Sequence, residues 1–196
     1  MFTGIIQEIG TVVRVERSRG LVRLSVQAPH IASKVGRLES VAVNGACLSV
    51  VTVRHGVLTF DMIAETQHRT TLGHLRRGGR VNLEPSLGIC DRLNGHFVFG
   101  HVDGVGTVVT RRQLAGELIF GVRLSAGLRK FLVPKGSVAV DGVSLTVGKM
   151  PTASTFTLHL IPETLRQTTL GEQVVGDRVN IELDYLAKLV WHAIRR

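Results

Sequence analysis

Cysteine is almost missing from this chain. Its two thiols, Cys47 and Cys90, stand at unmatched places, which excludes a disulfide framework and points to two reduced thiols in a cytoplasm. Aromatic residues make up only 5%, too few for the stacking platforms that hold single-stranded nucleic acids. No run approaches the roughly 20 apolar residues a helix needs to span a bilayer. The opening MFTGIIQEIG lacks the basic start, apolar block and small-residue cleavage site of a secretory leader. Charge is plentiful but one-sided, with a formal net of +9 and a pI near 10.7. The cations are scattered, the densest group being Arg76, Arg77 and Arg80 around a Gly-Gly pair, and they read as a solvated basic surface rather than a nucleic-acid footprint. His96 and His101 have no Cys, His or carboxylate neighbours at metal-ligand spacing, so no metal site is expected. On a strand, His96 would face away from His101.

What the chain does have is repetition. VAVNGACLSV at residues 41–50 returns as VAVDGVSLTV at residues 138–147. The apolar frame hardly changes, while Asn44 becomes Asp141, Cys47 becomes Ser144 and Ser49 becomes Thr146. A second stretch, IAETQHRTTLGHLRRGGRVNLE at 63–84, returns as IPETLRQTTLGEQVVGDRVNIE at 161–182. Two matches in one order indicate a duplicated domain, with like frames and unlike polar contents. Each copy has roughly 95 residues, enough for a modest core. Gly88, Asp91 and Asn94 break the pattern between copies, so the expected units are residues 1–96, residues 97–183 and a tail, residues 184–196.

Within each copy the elements are short and extended. Residues 5–15 are rich in β-branched residues, and residues 21–26 alternate with period two after a turn at Ser18-Arg19-Gly20. Asn44-Gly45 supplies a tight turn that puts Cys47 and Ser49 on one face of the outgoing strand. Gly104-Val105-Gly106 lacks the third glycine and the following helix of a dinucleotide fingerprint. Many short strands joined by glycine-rich turns predict an all-β protein of closed modules, because closure removes unpaired sheet edges. The tail differs: Leu186, Leu189, Val190, Ala193 and Ile194 fall at helical spacing. So short a helix needs its own barrel or a neighbouring subunit to cover its apolar stripe.

The opening MFTGII, the doubled NGACLSV and DGVSLTV, the junction NGHFVFGHVDG and the stretch IPETLRQTTLG together resemble the riboflavin synthase family, the type built from two lumazine-binding repeats. The match runs the length of the chain. The resemblance implies two tandem six-stranded Greek-key β-barrels and a C-terminal α-helix through which three copies assemble as a homotrimer. It implies a transferase that needs no metal and no redox cofactor and that dismutates 6,7-dimethyl-8-ribityllumazine into riboflavin and 5-amino-6-ribitylaminouracil. Duplication suits that chemistry, since one molecule of a single substrate must give four carbons and another must take them. By the resemblance, one pocket is lined by Cys47, Leu48 and Ser49 with Asp61, Met62, Ile63, Ala64, Glu65 and Thr66. The other is lined by Ser144, Leu145 and Thr146 with Ile161, Pro162, Glu163, Thr164, Leu165 and Arg166. The strand tips Gly4, Ile5 and Ile6, and Gly100, His101 and Val102, join Lys135 at the junction of barrels from neighbouring subunits, and Phe2 covers the stacked rings.

His101, Cys47 and Ser144 are the candidate catalytic residues. Imidazole titrates near neutrality and suits a proton carrier, though a single histidine also serves as a structural hydrogen bonder. Cys47 is read as a ring contact or a small buried thiol before a nucleophile. Ser49 and Thr146 pair across strands or touch ligand; Glu65 and Glu163 begin a helical turn or touch ligand. Asp184 caps the tail helix, contacts substrate, or does both. Lys135, between Pro134 and Gly136, reads by itself as a surface turn, and only the resemblance gives it a ligand. The chain departs from the family at Phe99, where relatives carry a polar residue, and at Ala46, which replaces a second cysteine. A non-catalytic lumazine or flavin carrier of the same fold would need only one good pocket.

Overall fold

The computed structural model describes residues 1–18 and 20–194; Arg19 of the expected turn and the last two residues of the tail lie outside the described residues. The first sheet runs β1 (Glu8–Ser18), β2 (Leu21–Gln27), β3 (Ser40–Val43), β4 (Ala46–Arg54), β5 (Val57–Ile63) and β6 (Arg80–Pro85). These close into an antiparallel barrel in the Greek-key order β1-β2-β5-β4-β3-β6. Alternation explains the closure: Val22, Leu24 and Val26 of β2 and Leu58, Phe60 and Met62 of β5 all point into one core. His55-Gly56 joins β4 to β5 with φ of 49° and 76°, the left-handed pair a two-residue hairpin requires. Helix α1 (Pro29–Ala32) plugs the barrel with Ile31, and α2 (Ala64–Arg69) follows β5 directly.

The second sheet repeats this order with β7 (Gly104–Leu114), β8 (Glu117–Arg123), β9 (Ser137–Val140), β10 (Val143–Thr146), β11 (Thr155–Leu160) and β12 (Arg178–Leu183). Helices α3 (Ala126–Arg129) and α4 (Pro162–Gln167) occupy the places of α1 and α2. Closure is looser than in the first barrel. Beyond Thr146, β10 meets β11 through the bridge Val147↔Leu158 and the bonds of Gly148 and Lys149 with Thr157, not through a ladder. Eight residues, 147–154, replace the two-residue turn, and Pro151 among them has no N–H to donate. The repeated Thr-Thr-Leu-Gly has a local cause: Thr70 and Thr168 each accept from the amide two residues on and donate to the carbonyl four residues back, starting a 3-10 turn.

The two barrels share a reciprocal polar seam. The Asn82 amide accepts from the Thr169 amide at 2.7 Å and donates to the Asp141 carbonyl at 2.9 Å. Asn180 mirrors it with the Thr71 amide at 2.7 Å and the Asn44 carbonyl at 2.8 Å. Gly45 and Gly142 touch back to back, and a Cβ on Gly45 would stand 2.6 Å from the Gly142 nitrogen. Asn44 and Asp141 therefore belong to this seam, not to the pockets whose contents the repeat suggested they vary. Each accepts from the amide of the seam asparagine in its own barrel.

Burial pushes the Asp141 carboxyl from 3.8 up to about 7, although it accepts from the Asn180 amide. A carboxyl raised on folding favours its protonated form, so its contribution is intact below 3.8 and is lost as pH rises through 7. Asp141→Asn, which gives the second turn the residue of the first, is expected to gain stability over the parent progressively from about pH 4 to pH 8. A urea series across that range checks it; a pH-independent difference contradicts it.

Candidate active site

Each barrel is completed by a strip of chain from the other copy. The Gly100 carbonyl, just before β7, accepts from the Cys47 amide of β4 at 2.9 Å, and the Gly4 carbonyl, just before β1, accepts from the Ser144 amide of β10 at 2.7 Å. Both glycines have positive φ, 79° at Gly4 and 76° at Gly100, and both lie flush on the opposite strand, so a side chain fits at neither. Val102 packs against the first core and Ile6 against the second.

Two buried carboxylates hold these strips. Glu84 accepts from the Thr3 amide and hydroxyl at 2.7 and 2.8 Å and from the Gly4 amide at 2.9 Å. Glu182 accepts from the Phe99 and Gly100 amides at 2.6 and 2.9 Å. Burial pushes both carboxyls up, and the amide donors pull them back. Residue type alone gives neither a role, although they close the repeated RVNLE and RVNIE.

On the first barrel the strip and α2 enclose a cavity of about 410 Å³, lined by Ala46, Cys47, Glu65, Thr66, Arg69, Thr70, Gly100, His101, Val102 and Asp103. That volume suits a small ligand. Cys47, Glu65, Thr66, Gly100, His101 and Val102 of the expected set are thus brought together. Leu48 and Met62 are not, since their side chains are buried in the core. Ser49, Ile63 and Ala64 are exposed and do not line the cavity. Asp61 pairs with Arg23 across the neighbouring strands at 2.7 and 2.9 Å, and hydrogen bonding to that guanidinium holds its carboxyl below the usual range.

The second barrel differs at the matching place. Residues 95 and 96 of the junction lie over it, and His96 Nδ1 is 2.7 Å from the Ser144 hydroxyl. Burial lowers the pKa of His96, which favours a neutral ring. His96 and His101 lie on no common strand; they serve different barrels. A separate cavity of about 510 Å³ opens beside it, lined by Pro134, Lys135, Thr146, Val147, Gly148, Lys149 and His159. It gathers Lys135 and Thr146. Ser144 is half-buried under the junction, Leu145 half-buried against the second core, Thr164 and Leu165 half-buried on α4, and Ile161, Pro162, Glu163 and Arg166 exposed, with Glu163 bonded to Arg166 and Gln167.

The Phe2 ring has no exposed surface and packs with Ala42, Val98 and Ala139 between the barrels. Ile5 is exposed. Asp184 caps helix α5 (Tyr185–Ala193), accepting from the Leu186 amide at 2.9 Å. Among the described residues no group of three or more His, Cys, Asp or Glu side chains is placed to hold a metal ion.

The lumazine binding domain pattern matches this chain twice, over residues 3–86 and 99–184. The chain is 42% identical to the riboflavin synthase of Mycobacterium bovis, covering 100% of this chain and 98% of that one. The chain belongs to the riboflavin synthase family. A second riboflavin synthase, from Bacillus subtilis, is 37% identical over 100% of this chain and 91% of its own. Riboflavin synthases are transferase-type enzymes, and this chain is one of that kind. The crystal structure of LumP complexed with riboflavin superposes with a TM-score of 0.87 over 93% of this chain and 99% of that one; at 24% identity it speaks for the fold. The two matched lumazine binding segments fall on the two sheets and begin at the strips Glu84 and Glu182 hold.

Proposed function

We propose that this chain converts two molecules of 6,7-dimethyl-8-ribityllumazine into riboflavin and 5-amino-6-ribitylaminouracil, one substrate giving its four-carbon unit to the other. The observation that carries this reading is the inequality of the two cavities: one presents Cys47, Thr66 and His101, the other Lys135, Thr146 and His159. Identical ligands in unlike polar surroundings can take opposite parts. The 7-methyl of a lumazine loses a proton readily because the carbanion delocalises into the ring. The protein's share is then to hold two rings in register and to stabilise the anion by hydrogen bonds. His101 on the cavity wall is the proton carrier, Cys47 a ring contact, and Ser144, bonded to neutral His96, a polarised hydroxyl for the other ring. Glu65, Thr66, Gly100 and Val102 around the first cavity and Lys135 and Thr146 around the second orient the ring and ribityl chain.

Three copies assemble through α5, which leaves Leu186, Leu189, Val190 and Ile194 exposed; assembly would set one copy's first cavity against a neighbour's second. Two unpaired thiols suit a cytoplasmic enzyme. The test is to add the dimethyl ribityllumazine to purified protein and follow the flavin spectrum. One flavin is expected for each two substrate molecules consumed. A binding-only reading has one observation in its favour, the His96 junction lying over Ser144; it predicts bound lumazine and no flavin.

A further inference from the structure

The strip that carries His101 has a fastening its twin lacks. Phe99 lies against Tyr185 of helix α5, ring centroids 5.0 Å apart, and stacks on His101 at 6.2 Å with 24° between planes. Four residues on, Asp103 takes both carboxylate oxygens to Lys188, one turn along α5, at 2.8 and 3.0 Å. The Asp103 Oδ2 also accepts from the Leu183 amide at 2.8 Å. Lys188 and Asp103 side chains keep only 23% and 19% of their exposure, so this pair is screened far less than a surface ion pair and its hydrogen bonds are charge-assisted. The Lys188 ammonium lies 5.8 Å from the Tyr185 ring, joining the two contacts into one unit. In the first copy the matching positions are Thr3 and Gln7, and a loop rather than a helix follows β6. Glu84 and Glu182 anchor both strips; among the described residues only the second is gripped at both ends by a helix.

From this asymmetry we infer that helix α5 is a clamp on the active-site strip, with Phe99, Tyr185 and Lys188 as positioning residues that fix the ring of His101 in the first cavity. The inference rests on the reaction proposed above. It gives the C-terminal helix a part in chemistry within its own chain, separate from assembly. It also gives a reason for the aromatic residue at position 99: a small polar side chain there would bridge neither to Tyr185 nor to the imidazole.

The test uses the full chain. Lys188→Ala is expected to lower kcat for the ribityllumazine about tenfold with KM little changed, since a slight misplacement of a catalytic group costs rate before binding, while Lys188→Arg restores most of the loss. Phe99→Leu leaves the ion pair in place and is expected to reproduce the kcat loss. Light scattering compares the variants at equal assembled mass. In ligand-free protein with ¹³C-labelled histidine, the His101 ring resonance is expected to move in Lys188→Ala and in Phe99→Leu. Wild-type kcat in both variants with an unmoved His101 signal overturns the clamp. If the parent itself forms no flavin, the proposed reaction fails, and the His101 resonance still decides whether the clamp exists.

Discussion

Replacing His101 by alanine is expected to lower kcat by roughly a hundredfold to ten-thousandfold, the range that loss of a general acid–base group brings, with a much smaller change in KM. The residue has the placement for this. It sits on the wall of the cavity beside Cys47, on a strip whose preceding amides are held by buried Glu182 and whose Gly100 carbonyl is fixed by the Cys47 amide. The ring is one of several groups around the cavity, so the remaining walls keep most of the binding. Steady-state kinetics with 6,7-dimethyl-8-ribityllumazine separate the two effects; an unchanged rate at saturating substrate removes His101 from the chemistry.

Gly100→Ala is expected to damage fold and turnover together. A Cβ at Gly100 would lie 2.5 Å from Cys47 Cβ and 2.8 Å from its nitrogen, and φ there is +76°. The left-handed backbone costs an L-residue about 1–2 kcal/mol, and forcing a methyl group into a packed contact adds about 1–3 kcal/mol. Relieving the clash means lifting the strip off β4, which breaks the Cys47–Gly100 hydrogen bond and opens the cavity wall that carries His101. Thermal unfolding should fall by roughly 10 °C for a chain of this size, and flavin formation should be lost well below the new Tm. Gly4→Ala has the same geometry against Ser144, with contacts of 2.6 and 2.7 Å, and should cost as much through the second barrel. Parental stability in both variants would contradict the exchanged strips.

Much of this architecture is legible in the residues. Period-two alternation in β2 and β5, the Asn44-Gly45 and Asp141-Gly142 turns and the duplicated stretches locate the strands and their repeat, because each is a local property. The exchange of strips is not local. Gly4 and Gly100 announce a turn, but which barrel the turn lies against depends on packing of residues about one hundred positions apart. Glu84 and Glu182 look like charged strand ends; only the fold shows that each faces inward to a row of amides. His96 misleads for the same reason, since strand spacing does not hold in a segment that forms no strand. Phe2 gives no local sign that Val98 and Ala139 close over its ring. The uneven closure of the second barrel could have been suspected from Pro151 and the longer 147–154 segment.

Binding stoichiometry decides most directly whether two cavities with unlike linings each take one ring. An 8-ribityllumazine without the 7-methyl group cannot form the carbanion and stays unreacted, so it can be titrated into the intact protein by calorimetry. Two bound molecules per chain with different affinities are expected, the first set weakened by a substitution at Thr66 and the second by one at Thr146. A single class of one molecule per chain, untouched by the Thr146 substitution, would contradict the account.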